Sequence, residues 1–160
     1  MRHDPDFIAA SVLNHILGGS AFTSQLFLEV REKRGLAYGV SSSLLPLRES
    51  GMVIGGTATR NDRAAESMAV IREEMAKLAS EGPSEHEVEE AKRYIIGSYP
   101  LRFDTSPKIA AELLSLATNG FEPDFLTQRN QLFAAVTLAD VKRVAQRFFG
   151  DPRLLIQAVG

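Results

Sequence analysis

Arg31 and Tyr38 stand seven residues apart in the stretch "LEVREKRGLAYGV", on either side of Gly35. A guanidinium and a phenol are both hydrogen-bond donors, and two donors converging on one oxygen would suit a peptide carbonyl or a developing oxyanion. The pair could not cleave a bond alone, because it supplies no nucleophile, general base or metal. Each residue also has a plainer account. Arg31 sits with Lys33 and Arg34 where a helix would end and its dipole favours cations, and Tyr38 is an amphipathic residue at the start of a strand. What joins the two is the junction. A helix that stops at Gly35 and turns at once into a strand brings its last-turn side chain and the early strand side chain to one place.

Other chemistry finds less support. The histidines are His3, His15 and His86, and none has a second histidine three or four residues away, so the paired zinc spacings H-E-x-x-H and H-x-x-E-H are both missing from these 160 residues. No metal site is legible. His86 lies among Glu85, Glu87, Glu89 and Glu90 at a helix start, where acids complement the dipole, and His15 beside Asn14 reads as a surface or packing residue. The absence of cysteine excludes disulfides, thiolate ligands and thiol catalysis. Ser41, Ser42 and Ser43 have no base nearby in sequence and read as the lining of an edge or groove. "LGGSAFTS" has glycines before a helix start but neither a preceding strand nor a following lysine, so it reads as a tight turn between helices.

The elements that must carry the pair follow from periodicity. "DPDFIAASVLNHILGG" places Phe7, Ile8, Val12, Leu13, Ile16 and Leu17 on one helical stripe that Gly18 and Gly19 stop. "TSQLFLEVREKRG" is a second helix with Thr23 or Ser24 as N-cap and Gly35 as its stop. "LAYGVSSSLL" and "GMVIGGTAT" read as two strands joined by the loop "PLRES", and their serines and glycines leave one sheet face without a greasy core. Asn61 can cap a helix bearing Ala64, Met68, Ile71, Met75 and Leu78 on one face. Ser84 to Glu87 is a capping box opening a helix that Pro100 ends or kinks. Ser106 and Pro107 start another helix, "EPDFLTQRNQLFAA" and the box Thr137 to Asp140 start two more, and "RLLIQAV" reads as a last strand.

The expectation is one α+β domain over residues 1–160, with a small, mostly antiparallel sheet beside a block of helices. Bulk numbers agree: 44% hydrophobic and 24% charged residues are those of an ordinary globular domain. A net charge of −2 offers no field for nucleic acid or an anionic membrane, and no apolar run approaches the roughly 18 residues of a membrane span. Three strands are few for so many helices, and the chain opens directly on a helix, which suggests that it begins inside a domain.

Together "VLNHILGG", "FTSQLFLEVREKRGLAYGV", "SGMVIGGTAT" and "GPSEHEVEEAK" resemble, in order, the repeat domain of pitrilysin/insulinase-type zinc metallopeptidases. The same domain is found in mitochondrial processing peptidase and in the core proteins of the respiratory bc1 complex. The resemblance implies a clamshell in which one half carries zinc on an H-x-x-E-H helix. The other half, without zinc, contributes an Arg and a Tyr seven residues apart, which Arg31 and Tyr38 match as catalytic and substrate-binding residues. It further implies a domain whose first strands are missing here, a zinc-bearing partner domain or subunit, a peptide substrate, and chain pairing through an open sheet edge. Similar non-zinc subunits favour the bacterial periplasm over the cytoplasm. The alternative is a non-catalytic scaffold on the same fold, as in the respiratory core proteins.

Overall fold

The computed structural model describes residues 4–47, 50–151 and 153–159. His3 and part of the "PLRES" loop lie outside them.

The first apolar stripe forms α1 (Phe7–Asn14), which runs without a break into a π-helical turn (His15–Gly19) and buries Val12, Leu13, Ile16 and Leu17. A second π-helical segment, Phe27–Glu32, buries Phe27 and Val30. Neither expected cap serves it through its side chain. Thr23 Oγ1 pairs with Ser20 Oγ at 2.7 Å, while Ser24 Oγ is buried without a partner. The far end behaves as glycine chemistry requires. Gly35 takes φ +56°, donates its N–H to Arg31 O at 2.9 Å, and lets Leu36 N–H reach Val30 O at 2.8 Å.

The chain then forms an antiparallel hairpin of β1 (Ala37–Pro46) and β2 (Gly51–Thr59), in register from Gly39↔Ala58 to Pro46↔Gly51. Ala37 pairs with Thr59, so Tyr38 is the extra residue of a β-bulge. The bulge resets the alternation of the strand. Ala37 is buried before it, Val40 and Ser42 are buried after it, and Tyr38 and Gly39 both face outward. Among the described residues the sheet has these two strands and no more.

The expected last strand does not form. Residues 153–159 adopt no regular structure, and Leu155 is fully exposed. A strand is stable only when its N–H and C=O groups meet a ladder partner, and this segment has none among the described residues. The outer edges of β1 and β2 are equally unpaired within the described chain.

Helices fill the rest: α2 (Ala64–Ser80), α3 (Glu85–Ser98), α4 (Ser106–Thr118), α5 (Phe125–Ala135) and α6 (Leu138–Phe149). Both capping boxes, Ser84 with Glu87 and Thr137 with Asp140, are complete. Two starts differ from the sequence reading. A 3₁₀ turn over Asn61–Arg63 precedes α2, and Thr105 rather than Ser106 is the N-cap of α4. The buried face of α2 is Ser67, Val70, Glu74 and Leu78, rotated from the expected stripe, with Ile71 and Met75 only partly covered. Val141, Val144 and Ala145 of α6 are fully buried in one core shared with α1, α2 and α3.

An ion cluster ties the start of α1 to α6. Asp6, 6% exposed, accepts from Arg143 Nη1 at 2.7 Å and from Arg147, which also reaches Asp4 at 3.3 Å. Burial alone would raise the Asp6 carboxyl, but hydrogen bonds from Arg147 and Arg143 and their charges hold it below the usual range. A depressed folded value stabilises the fold above the unfolded pKa of about 3.9 and loses that contribution as pH falls through the folded one. Asp6→Asn should therefore melt earlier than wild type at pH 7. The gap between the two should close in melts taken below about pH 4, and a constant gap would show that the ion cluster contributes nothing.

Candidate functional site at the helix–strand junction

The two residues singled out by type and spacing meet. The Arg31 guanidinium lies 4.8 Å from the centre of the Tyr38 ring. The Phe27 ring lies at the same distance, 4.8 Å, so the cation contacts two aromatic rings. Local chain geometry produces this arrangement in two steps. Phe27 and Arg31 are four residues apart on one helical face, and the bulge at Tyr38 turns its ring outward beside the helix end.

The cations of this helix end do different work. Lys33 and Arg34 both bind Glu29, which is held below the ordinary carboxylate range by those hydrogen bonds. Arg31 does not share that carboxylate. Its nearest acid is Glu32, with Nε to Oε1 at 3.9 Å, beyond hydrogen-bond reach, and its guanidinium makes no hydrogen bond among the described residues. Tyr38 is 84% exposed. The donors of both side chains are thus open to a ligand.

Behind the pair, α1 and β1 are locked together. A Cβ at Gly18 would stand 2.6 Å from the backbone N of Ser42, so only glycine permits the approach. Ser42 Oγ donates to Asn14 Oδ1 at 2.9 Å, and Asn14 Nδ2 donates back to Ser42 O at 3.4 Å. Of the three serines read as groove lining, Ser42 is therefore a buried fastener, while Ser41 and Ser43 face outward.

The described residues do not fit a zinc ion. His15 stacks on Tyr94, with centroids 4.9 Å apart, and its burial lowers its pKa. His15, His86, Glu87 and Glu90 border a 370 Å³ cavity, yet no three metal-binding side chains converge there or elsewhere among the described residues. The larger cavity, 510 Å³, lies between the loop end of the hairpin, the start of α1 and the end of α6. Arg31 and Tyr38 border neither cavity and stand on open surface.

The family profile of the peptidase M16 inactive domain matches residues 1–95, the part of the chain that carries α1, the junction, the hairpin, α2 and most of α3. The chain belongs to the M16 peptidase inactive-domain family. It is 41% identical over 98 residues to an uncharacterized zinc protease of Mycobacterium leprae, covering 61% of this chain and 22% of that one. The crystal structure of a peptidase M16 inactive domain from Pseudomonas fluorescens superposes with a TM-score of 0.80 at 30% identity, covering 92% of this chain and 35% of the other. A Helicobacter pylori protein described as a non-peptidase homolog is 28% identical over 100 residues, covering 62% of this chain and 23% of that one. The chain thus spans about a quarter to a third of the relatives it matches. This M16 domain is an inactive peptidase domain of a zinc-protease family, with the α+β architecture expected from its sequence.

One member of the junction, Phe27, escaped the sequence reading, whereas the glycine turn at Gly18 and Gly19 was expected to support the pair. Phe27 was legible in principle, since its spacing of four from Arg31 puts both on one helical face. Gly18 looked like a helix stop, and nothing local in the sequence signals that Ser42 presses against it.

Proposed function

We propose that this M16 domain is the substrate-binding, zinc-free half of a clamshell zinc metallopeptidase, with Arg31 and Tyr38 donating hydrogen bonds to the substrate backbone at the scissile carbonyl. One observation carries the reading: a guanidinium in contact with two rings, with no hydrogen-bonded carboxylate, beside an exposed phenol. Donors held in one place and not taken up by hydrogen bonds suit an oxygen whose negative charge grows during reaction. Zinc, held by an H-x-x-E-H helix in another domain or subunit, would supply the Lewis acid and the activated water. This chain supplies binding and orientation. The site lies on open surface because the facing half completes the chamber, and the free edges of β1 and β2 are where further strands of the same sheet, or a neighbouring chain, attach.

The test is reconstitution. The isolated chain is expected to hydrolyse no peptide and to hold no stoichiometric zinc, and cleavage should appear only with the zinc-bearing half present. One tightly held zinc per isolated chain, or a zinc half that is fully active without this one, would overturn the proposal. A second reading, a non-catalytic scaffold, takes support from the likeness to the Helicobacter pylori non-peptidase homolog. It predicts that the reconstituted pair assembles but never cleaves.

A further inference from the structure

The two rings that contact Arg31 differ. Tyr38 is 84% exposed and is itself a donor, whereas Phe27 is buried at 6% exposure. A second ring braces it, since Phe22 meets Phe27 edge-on with centroids 5.5 Å apart at 81°. Glu29, the acid that binds its neighbours on this helix end, is already occupied by Lys33 and Arg34.

We propose that Phe27 is a positioning residue, a buried shelf that holds the Arg31 guanidinium in one plane without consuming its donors. The inference rests on the substrate-binding reading of Arg31 given above. A long arginine side chain needs a partner to hold it still. A carboxylate would do so by taking the N–H groups that the substrate requires. A ring face holds the guanidinium by its flat side and leaves the in-plane N–H edge free. Misplacement of a donor by about 1 Å can cost on the order of a hundredfold in rate, so the shelf acts on turnover more than on substrate capture.

The experiment uses the chain labelled with 15N-arginine and reconstituted with its zinc-bearing half, and a fluorescence-quenched peptide that the assembly cleaves. In Phe27→Leu the Arg31 Nε–Hε resonance should leave its ring-shifted position and move toward that of free arginine. kcat should fall by about tenfold or more, with KM within about twofold. Phe27→Tyr keeps the ring face and should restore both signals, and Phe27→Met repeats the test should the leucine variant fold poorly. The shelf is overturned by an unmoved Arg31 resonance in the aliphatic variants, or by unchanged kcat when Arg31→Ala in the same assay lowers it. If Arg31→Ala itself leaves kcat untouched, the substrate-binding reading falls, and with it any role for Phe27 in turnover.

Discussion

On the proposed reading, Arg31→Ala or Tyr38→Phe, introduced into the chain reconstituted with a zinc-bearing half, should slow peptide cleavage by roughly tenfold to a thousandfold, the scale for removing one preorganised donor at a polarised carbonyl. Zinc content and assembly should not change, because neither side chain holds the fold: Tyr38 is 84% exposed and the Arg31 guanidinium makes no hydrogen bond among the described residues. The double variant should fall well short of the product of the single effects, since the two groups stand 4.8 Å apart, guanidinium to ring centre, and on the proposed reading would donate to one oxygen. A helix-end cation with no other role predicts something different. Its loss would cost only about 0.3–1 kcal/mol of stability and leave turnover intact. Steady-state rates together with thermal melts separate the two accounts. Wild-type cleavage by both single variants would make the pair structural and strengthen the scaffold reading.

Gly18→Ala is expected to have the largest effect on stability for the smallest change in volume. The added Cβ would stand 2.6 Å from Ser42 N, a backbone atom inside a paired strand, so α1 and β1 must separate. Overpacking of this kind typically costs about 1–3 kcal/mol. For a domain of this size each kcal/mol lowers the melting temperature by roughly 2–4 °C. Gly97→Ala is the internal control. Gly97 lies in α3, where an added Cβ would meet nothing within 4 Å, and alanine there should be neutral or stabilising by up to about 1 kcal/mol. Equal melting temperatures for the two variants would mean that the close approach at Gly18 is not what holds the hairpin against α1. Because β1 also carries Tyr38, Gly18→Ala should lower cleavage beyond what its melting temperature explains.

The sequence by itself determined what is closed over a few residues. The boxes at Ser84 and Glu87 and at Thr137 and Asp140 are each made within four residues, and both are legible for that reason. Gly35 stops its helix because only a residue at ease with positive φ can turn the chain there. The seven-residue spacing of Arg31 and Tyr38 across that turn made their meeting predictable. Tertiary structure decided the rest, where the partner lies far along the chain or is not found among the described residues. "RLLIQAV" has the composition of a strand, yet composition supplies no hydrogen-bond partner, and without a ladder the segment stays irregular. Asp6 is joined to Arg147 across 141 residues, and Asn14 to Ser42 across 28, distances over which no sequence period runs. The face of α2 that is buried follows what packs on it, so Ser67 and Glu74 are covered against their propensity. Phe27 and Arg31 share a helical face in sequence, but the second ring reaches the guanidinium only because a one-residue bulge in a ladder formed with Thr59 and Ala58 turns Tyr38 outward.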